Sequence, residues 1–137
     1  MLSKKTKYGI KALTFLAKQP SKVPVQIATI SKSENISLKF LESILLTLKK
    51  NGFLSSKKGK GGGYYLLKEP CQIEMASVMR ILEGPISMIP CVSLNFYEKC
   101  DDCPDENICA VHKLMTQVRD SSLQIFRNTT LADLTNS

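Results

Sequence analysis

The fold is decided by residues 37–67, which read SLKFLESILLTLKKNGFLSSKKGKGGGYYLL. Ser37 occupies an N-cap position, and the apolar residues that follow it recur at helical spacing. We therefore predict a helix that runs to about residue 50. Asn51 and Gly52 end it, because glycine readily adopts the left-handed conformation found just beyond a helix C-terminus.

A β-hairpin is predicted directly after this helix. Residues 53–57 and 64–67 read as short strands, and they flank the basic, glycine-rich loop 58–63. Upstream, apolar spacing and helix-breaking residues predict a helix over 4–18, a helix over 25–31 and a turn over 33–36. Two helices, a turn, a third helix and a basic hairpin together predict a winged helix-turn-helix.

The second half of the chain is predicted to end in a long helix. A helix over 75–83 is stopped by Gly84 and Pro85, and residues 86–103 look irregular. A final helix is predicted from Pro104 to Arg127, with an apolar stripe made of Val111, Leu114, Met115, Val118, Ile125 and Phe126. The predicted fold class is mostly α with a small β-hairpin: a winged helix-turn-helix over residues 1–68, then a sensor loop and long C-terminal helix over 69–137.

The charge of the chain is divided between its halves. Residues 1–68 carry 14 lysines and two glutamates, a net charge of +12, whereas residues 69–137 carry five basic and ten acidic residues, a net charge of −5. A strongly basic half is typical of a nucleic-acid-binding protein, although a solvated lysine-rich surface gives the same composition. No apolar run is long enough for a membrane span, and no secretory signal is visible. We therefore expect a cytoplasmic protein without a membrane partner.

The third helix and the hairpin tip contain the predicted DNA contacts. On the helix face opposite the buried stripe, Lys39 can donate to guanine, Glu42 can accept from a cytosine amino group, and Ser43 can do either. The alternative is that Glu42 pairs with a helix neighbour and touches no base. Glycines let the tip approach DNA closely, while its lysines supply charge. The predicted DNA-contact residues are Ser37, Lys39, Glu42, Ser43, Lys58, Gly59 and Lys60.

Four of the five cysteines fall within 19 residues and are followed by the single histidine. They read Cys91-x8-Cys100-x2-Cys103-x5-Cys109, with His112 three residues further on. We predict that Cys103 caps the final helix and that Cys109 and His112 share one of its faces. Five candidate ligands for about four places suit a tetrahedral zinc ion or an iron–sulfur cluster. Ordinary buried thiols are the alternative; Cys71 lies apart and is predicted to be a small core residue.

The motifs together resemble the Rrf-type bacterial transcriptional regulators, a family that includes IscR- and NsrR-like iron–sulfur and nitric-oxide sensors. The matching pieces cover nearly the whole chain; they are residues 37–42, 58–64, 82–86, the cysteine group and residues 130–134. The resemblance implies a homodimer joined by the long C-terminal helix, with a [2Fe-2S] or [4Fe-4S] cluster in the preceding loop. It also implies that Cys91, Cys103 and Cys109 are ligands, and that His112 or Cys100 is the fourth.

The resemblance, together with these patterns, implies a dimeric regulator that binds double-stranded operator DNA and senses iron–sulfur status, redox state or nitric oxide. The alternatives on the same fold are a metal-free thiol–disulfide regulator that uses Cys100 and Cys103, and a regulator with structural zinc. An iron–sulfur electron carrier would not explain the basic hairpin. An enzyme is disfavoured, because the sequence has no paired carboxylates, no nucleophile beside a base and no phosphate-binding loop in a catalytic context.

Overall fold

The computed structural model describes residues 2–136 and confirms the predicted fold class. It has six α-helices and one two-stranded antiparallel sheet. In chain order they are α1 Lys4–Ala17, α2 Ile27–Glu34, α3 Leu38–Lys50, β1 Leu54–Lys57, β2 Gly63–Leu66, α4 Met75–Leu82, α5 Ala110–Asn128 and α6 Leu131–Thr135. Short 3-10 turns lie at Pro70–Gln72, Pro90–Val92 and Glu106–Ile108. No helix within residues 2–136 is both long enough and apolar enough to cross a membrane.

Helix α3 begins and ends as predicted. The Ser37 side chain accepts a hydrogen bond from the Phe40 backbone N–H at 3.3 Å, which satisfies one of the free donors at the helix start. Gly52 follows the helix with a φ of 83°, the left-handed conformation for which glycine is suited. The predicted buried stripe is confirmed, since four side chains are fully buried in the core: Leu41, Ile44, Leu45 and Leu48.

Helix α2 begins two residues later and ends three residues later than predicted. Val25 does not enter the helix, because its backbone N–H and carbonyl pair with Tyr64 of β2 at 2.8 Å each. The predicted turn at 33–36 is correspondingly shorter. Only Asn35 leaves the helix in the left-handed conformation, with a φ of 54°, which asparagine tolerates better than most residues.

The hairpin is bound at its base to the rest of the first half of the chain. Leu54 pairs with Leu66 and Lys57 with Gly63 in the antiparallel register. Gly63 has a φ of 143°, and a Cβ at this position would collide with the Val25 carbonyl. Only glycine therefore allows the strand to pass this close to the residue that precedes α2. The hairpin and the helix-turn-helix consequently form one packed unit.

The long C-terminal helix begins six residues later than predicted. Pro104 does not start it; the Asp105 side chain caps only the 3-10 turn Glu106–Ile108, and the chain turns again before Ala110. The acidic residues that suggested a helix N-terminus therefore serve this short turn. As a consequence, Cys103 is not the helix cap, and the N-cap of α5 is Cys109.

Helix α6 was not predicted as an element. Thr130 and Asp133 form a reciprocal capping box around its first turn. Leu131 is fully buried in the same core as α3, and its backbone N–H donates to the Ile73 carbonyl at 2.9 Å. Helix α6 thus packs against the first half of the chain.

Candidate DNA interface and cysteine site

The side chains predicted to read bases on α3 are exposed. Lys39, Glu42 and Ser43 all lie on the face away from the core. Ser43 donates its hydroxyl hydrogen to the Phe40 carbonyl at 3.0 Å. Within residues 2–136, Glu42 makes no ion pair or hydrogen bond, so the alternative of a helix-neighbour pairing has no contact to support it. Ser37 is exposed too, but its hydroxyl oxygen is engaged as the helix cap.

The tip of the hairpin presents a small basic loop to solvent. Lys58, Gly59 and Lys60 are all exposed, and Gly59 has a φ of 88°. The loop is closed by the Gly62 N–H, which donates to the Gly59 carbonyl at 3.0 Å. Its backbone therefore forms a tight turn. Gly59 has one lysine on each side and no side chain of its own, so another molecule can approach its backbone closely.

The positive charge of the first half is not neutralised by neighbouring acids. Within residues 2–136, the one ion pair joins Arg119 to its sequence neighbour Asp120, at 2.8 Å. None of the 14 lysines of the basic half is in a salt bridge in this part of the chain. Lysines around α3 that have no acidic partner raise the local concentration of a polyanion such as DNA.

The cysteine site comprises Cys91, Cys100, Cys103, Cys109 and His112, which together line one cavity of about 430 Å³ in front of α5. Cys91 is buried in the 3-10 turn Pro90–Val92, while the other three cysteines are half-buried. The predicted Cys-x-x-Cys turn is present, since the Cys103 N–H donates to the Cys100 carbonyl at 3.3 Å. Sequence-distant thiols are thereby gathered around one space.

His112 contacts two of the cysteines in different ways. Its Nδ1 lies 3.3 Å from the Cys91 sulfur, and its backbone N–H donates to the Cys109 sulfur at 3.4 Å. The prediction that Cys109 and His112 share a helix face needs correction, because Cys109 precedes the helix as its N-cap. Both residues nevertheless line the cavity.

The chain is similar to known proteins along nearly its whole length. The Rrf2 family model, described as an iron-dependent transcriptional regulator, matches residues 2–137. The chain belongs to the Rrf2 family. It is 39% identical over 137 residues to an rrf2-like HTH-type transcriptional regulator of Rhodobacter capsulatus, covering 98% of this chain and 91% of that protein.

Two further Rrf2 regulators resemble the chain along its length. It is 30% identical over 136 residues to IscR of Yersinia pseudotuberculosis, covering 99% of this chain and 79% of that protein. The solved structure of CymR, the global cysteine regulator of B. subtilis, superposes with a TM-score of 0.81 at 31% identity and covers 99% and 96% of the two chains. These relatives confirm the predicted family and a non-enzymatic role in transcription regulation.

Two thiols of this Rrf2 regulator have raised pKa values. A hydrogen bond to Cys91 raises the pKa of Cys100, and the charges of nearby groups add to the effect. Partial burial and the proximity of Cys109 raise the pKa of Cys103. Both thiols are accordingly protonated at neutral pH, and a metal that bound them as thiolates would release protons.

The donor set of the cysteine site suits a thiophilic metal. Thiolates with an imidazole are the ligands of zinc and of iron–sulfur clusters. Among residues 2–136, however, no group of three or more His, Cys, Asp or Glu side chains is already positioned to hold a metal ion. The residues therefore fit such a group in kind and in proximity, and the side chains would have to converge on binding.

Other residues predicted or overlooked from the sequence have plain structural roles. Cys71 is exposed in the 3-10 turn Pro70–Gln72, so its prediction as a core residue was wrong. Tyr97 donates a hydrogen bond to Glu106, which raises the pKa of Tyr97 to about 12 and links the two sides of the loop that contains Cys100 and Cys103. Arg119 of α5 donates to the Val92 carbonyl at 2.8 Å and so holds the turn that contains Cys91. No spacing rule predicts these long-range contacts.

Proposed function

We propose that this Rrf2 regulator binds operator DNA as a homodimer and senses iron–sulfur status, redox state or nitric oxide through a cluster held by the cysteine site. The observation that carries the proposal is the position of that site. Four cysteines and one histidine surround a single cavity at the start of α5, while the uncompensated lysines lie in the other half of the chain. The family's description as iron-dependent supports the choice of iron.

DNA binding is assigned to α3 and the hairpin tip. Helix α3 would enter the major groove, where Lys39, Glu42 and Ser43 meet base edges. Lys58 and Lys60 at the tip would contact flanking phosphates or the minor groove, and Gly59 between them allows close approach. All of these residues are exposed in one packed unit, which supports a common binding surface.

Dimerisation is assigned to the outer face of α5. Val111, Leu114 and Ile125 lie on one side of this helix and are 55%, 54% and 64% exposed in the single chain. A row of large apolar side chains this exposed favours an interface between protein surfaces. A second copy of the same helix would bury them, since symmetric dimers bury the same patch on both subunits.

The cluster ligands are assigned to Cys91, Cys103 and Cys109, with His112 or Cys100 as the fourth. When bound, an iron–sulfur cluster supplies a centre that is altered by oxidant or nitric oxide and lost when iron is scarce. The chain's own residues would transmit the change. Cys109 caps α5, and Arg119 ties α5 to the turn that contains Cys91, so movement of either cysteine displaces this helix.

Helix α5 can pass such a displacement to the DNA-binding half through packed neighbours. It packs against α4, and Glu83, which follows α4, accepts hydrogen bonds from Ser3 and Thr6 at the start of α1. In a dimer, a small rotation of each half changes the spacing of the two reading helices. Half-sites on DNA lie about one helical turn apart, so this spacing governs affinity.

Anaerobic purification with iron and acid-labile sulfide analysis tests the cluster. We expect iron and sulfide to copurify with the protein and to be lost in Cys91→Ser. Cys71→Ser is the matched control, because Cys71 is exposed and does not line the cavity. Comparison of His112→Ala with Cys100→Ser identifies the fourth ligand. Colourless protein with stoichiometric zinc would overturn the cluster and leave a structural-zinc regulator.

A metal-free thiol–disulfide regulator is the second candidate, favoured by the four free thiols that line one cavity. Two thiols would lose two protons and two electrons to an oxidant of the peroxide class and form one S–S bond. The proposed pair is Cys100 and Cys103, which lie in one turn closed by the hydrogen bond from the Cys103 N–H to the Cys100 carbonyl. Peptide mapping of metal-free protein after mild peroxide treatment identifies the pair, and unmodified thiols would eliminate this candidate.

A further inference from the structure

Helix α1 carries a row of lysines on the side that faces away from the core. Lys4, Lys7 and Lys11 recur at intervals of three and four residues, so they lie along one face, called here the α1 lysine face. The buried residues of the helix occupy the opposite side: Thr6, Gly9, Ala12, Leu13 and Leu16. The helix contains no aspartate or glutamate.

The α1 lysine face is adjacent to the start of α3. Tyr8 lies between Lys4 and Lys11 on the helix surface, because it is four residues after the first and three before the second. Its ring meets the ring of Phe40 edge-on, with the centroids 5.7 Å apart. Phe40 is in the first turn of α3, next to Lys39. The aromatic contact therefore fixes the lysines beside the end of α3 that reads DNA.

Nothing within residues 2–136 neutralises this face. No salt bridge involves Lys4, Lys7 or Lys11. Glu83, which follows α4, places its carboxylate near the start of α1. Ser3 and Thr6 donate hydrogen bonds to it, and Thr6 belongs to the buried side of α1, so the carboxylate lies away from the α1 lysine face. The partial positive charge of the α3 N-terminus adds to that of the lysines. Together they form an electropositive surface that extends beyond the predicted contact residues.

We propose that the α1 lysine face is a second DNA-contact surface, which binds backbone phosphates along the edge of the groove that α3 enters. The proposal rests on the DNA-binding part of the proposed function and adds a surface outside the helix-turn-helix and hairpin. Lysine is a flexible point charge that suits phosphates rather than base edges. The α1 lysine face thus supplies affinity and orientation, while α3 supplies sequence preference.

The test compares two double variants that remove the same charge from the full-length protein. Lys4→Gln with Lys11→Gln alters the α1 lysine face, and Lys99→Gln with Lys113→Gln removes two lysines from the acidic half. The probes are a duplex selected by the wild-type protein from a random pool and a scrambled duplex of the same composition. Affinity for each is measured from 50 to 200 mM salt, and thermal melting checks that all variants are folded.

We expect the α1 variant to have a shallower salt dependence. Each lost phosphate contact lowers the slope of log affinity against log salt by about 0.9, so two contacts per protomer lower it by about 1.8. Across this fourfold salt range, each wild-type protomer then loses about tenfold more affinity than the variant. The preference for the selected over the scrambled duplex should be retained, because phosphate contacts do not read sequence.

The possible failures are distinguishable. If wild-type protein shows no salt-dependent binding to either duplex, the proposed DNA-binding function itself is refuted. If wild type binds but both double variants keep its slope, or both lower it equally, only the α1 proposal is overturned. If the α1 variant loses preference for the selected duplex at unchanged slope, the face acts in base recognition and the phosphate assignment is wrong.

Discussion

Helices α3 and α5 differ in where their apolar side chains lie. Helix α3 buries four of its 13 residues completely within its own chain, whereas α5 buries only Leu123 among its 19. Both helices have an apolar stripe of similar strength in sequence. The difference indicates that the DNA-binding half is stabilised by its own core, and that the C-terminal half has surfaces suited to a second subunit and a ligand.

The largest expected effect is in the core of the DNA-binding half. Leu41→Ala removes a fully buried side chain from α3 and should lower the free energy of unfolding by about 2–5 kcal/mol. Denaturant unfolding measures it. Leu46→Ala is the matched control in the same helix, since Leu46 is 45% exposed and its loss should cost far less. Equal losses would contradict the division between buried and exposed faces.

The next effect concerns the outer face of α5. Leu114→Ser should leave the unfolding of the single chain almost unchanged but weaken the proposed dimer, because each buried leucine contributes about 1.5–3 kcal/mol. Sedimentation equilibrium measures the dissociation constant. Leu67→Ser is the control, because Leu67 is similarly exposed but lies in the DNA-binding half. Identical mass distributions for wild type and Leu114→Ser would show that this face is not the interface.

A smaller effect is expected at the start of α3. Ser37→Ala removes the oxygen that accepts from the Phe40 N–H and should cost about 1 kcal/mol of stability. Ser37→Asp restores an acceptor at the same place and should recover most of it. Thermal or denaturant unfolding distinguishes the two variants. An alanine variant as stable as wild type would show that the Ser37 cap does not stabilise this helix.

The smallest effect joins the two halves and depends on pH. Burial raises the pKa of Glu83, but hydrogen bonds from Ser3 and Thr6 outweigh it and hold the pKa below its ordinary value of 4.5. A depressed carboxyl pKa stabilises the folded state above the unfolded pKa, and this contribution disappears as pH falls through the folded pKa. Wild type should therefore exceed Glu83→Gln in stability at pH 7, and the difference should shrink below about pH 4. A pH-independent difference would exclude this linkage.

The sequence predicted elements whose signals are local. Ser37 and Gly52 bracket α3 because a cap and a left-handed glycine act within one helical turn. The start of α5 was mispredicted because Pro104 and the acids after it resemble a helix N-terminus, yet they form a 3-10 turn. The start of α2 depends on Tyr64, a partner far along the chain that no local pattern reveals. Helix α6 has a local signal, the capping box of Thr130 and Asp133, but its position in the core depends on the distant Ile73.

The candidate site follows the same rule. Spacing identified the four cysteines and His112, and the structure gathers them around one cavity. Spacing did not give the roles of individual atoms, because these depend on where the loop folds back. The placement of His112 Nδ1 beside Cys91, 21 residues earlier, and the use of Cys109 as a cap are both of this kind.

The pairing of Val25 with Tyr64 has a mechanical consequence. Two backbone hydrogen bonds join Val25, two residues before α2, to the second strand of the hairpin, and Gly63 lets the two segments meet there without a side chain between them. The hairpin cannot swing while the helices stay still, since their shared hydrogen bonds would break. In the proposed mechanism, a signal from the C-terminal half would therefore move the hairpin and the three helices together as one rigid unit, rather than bend one of its parts.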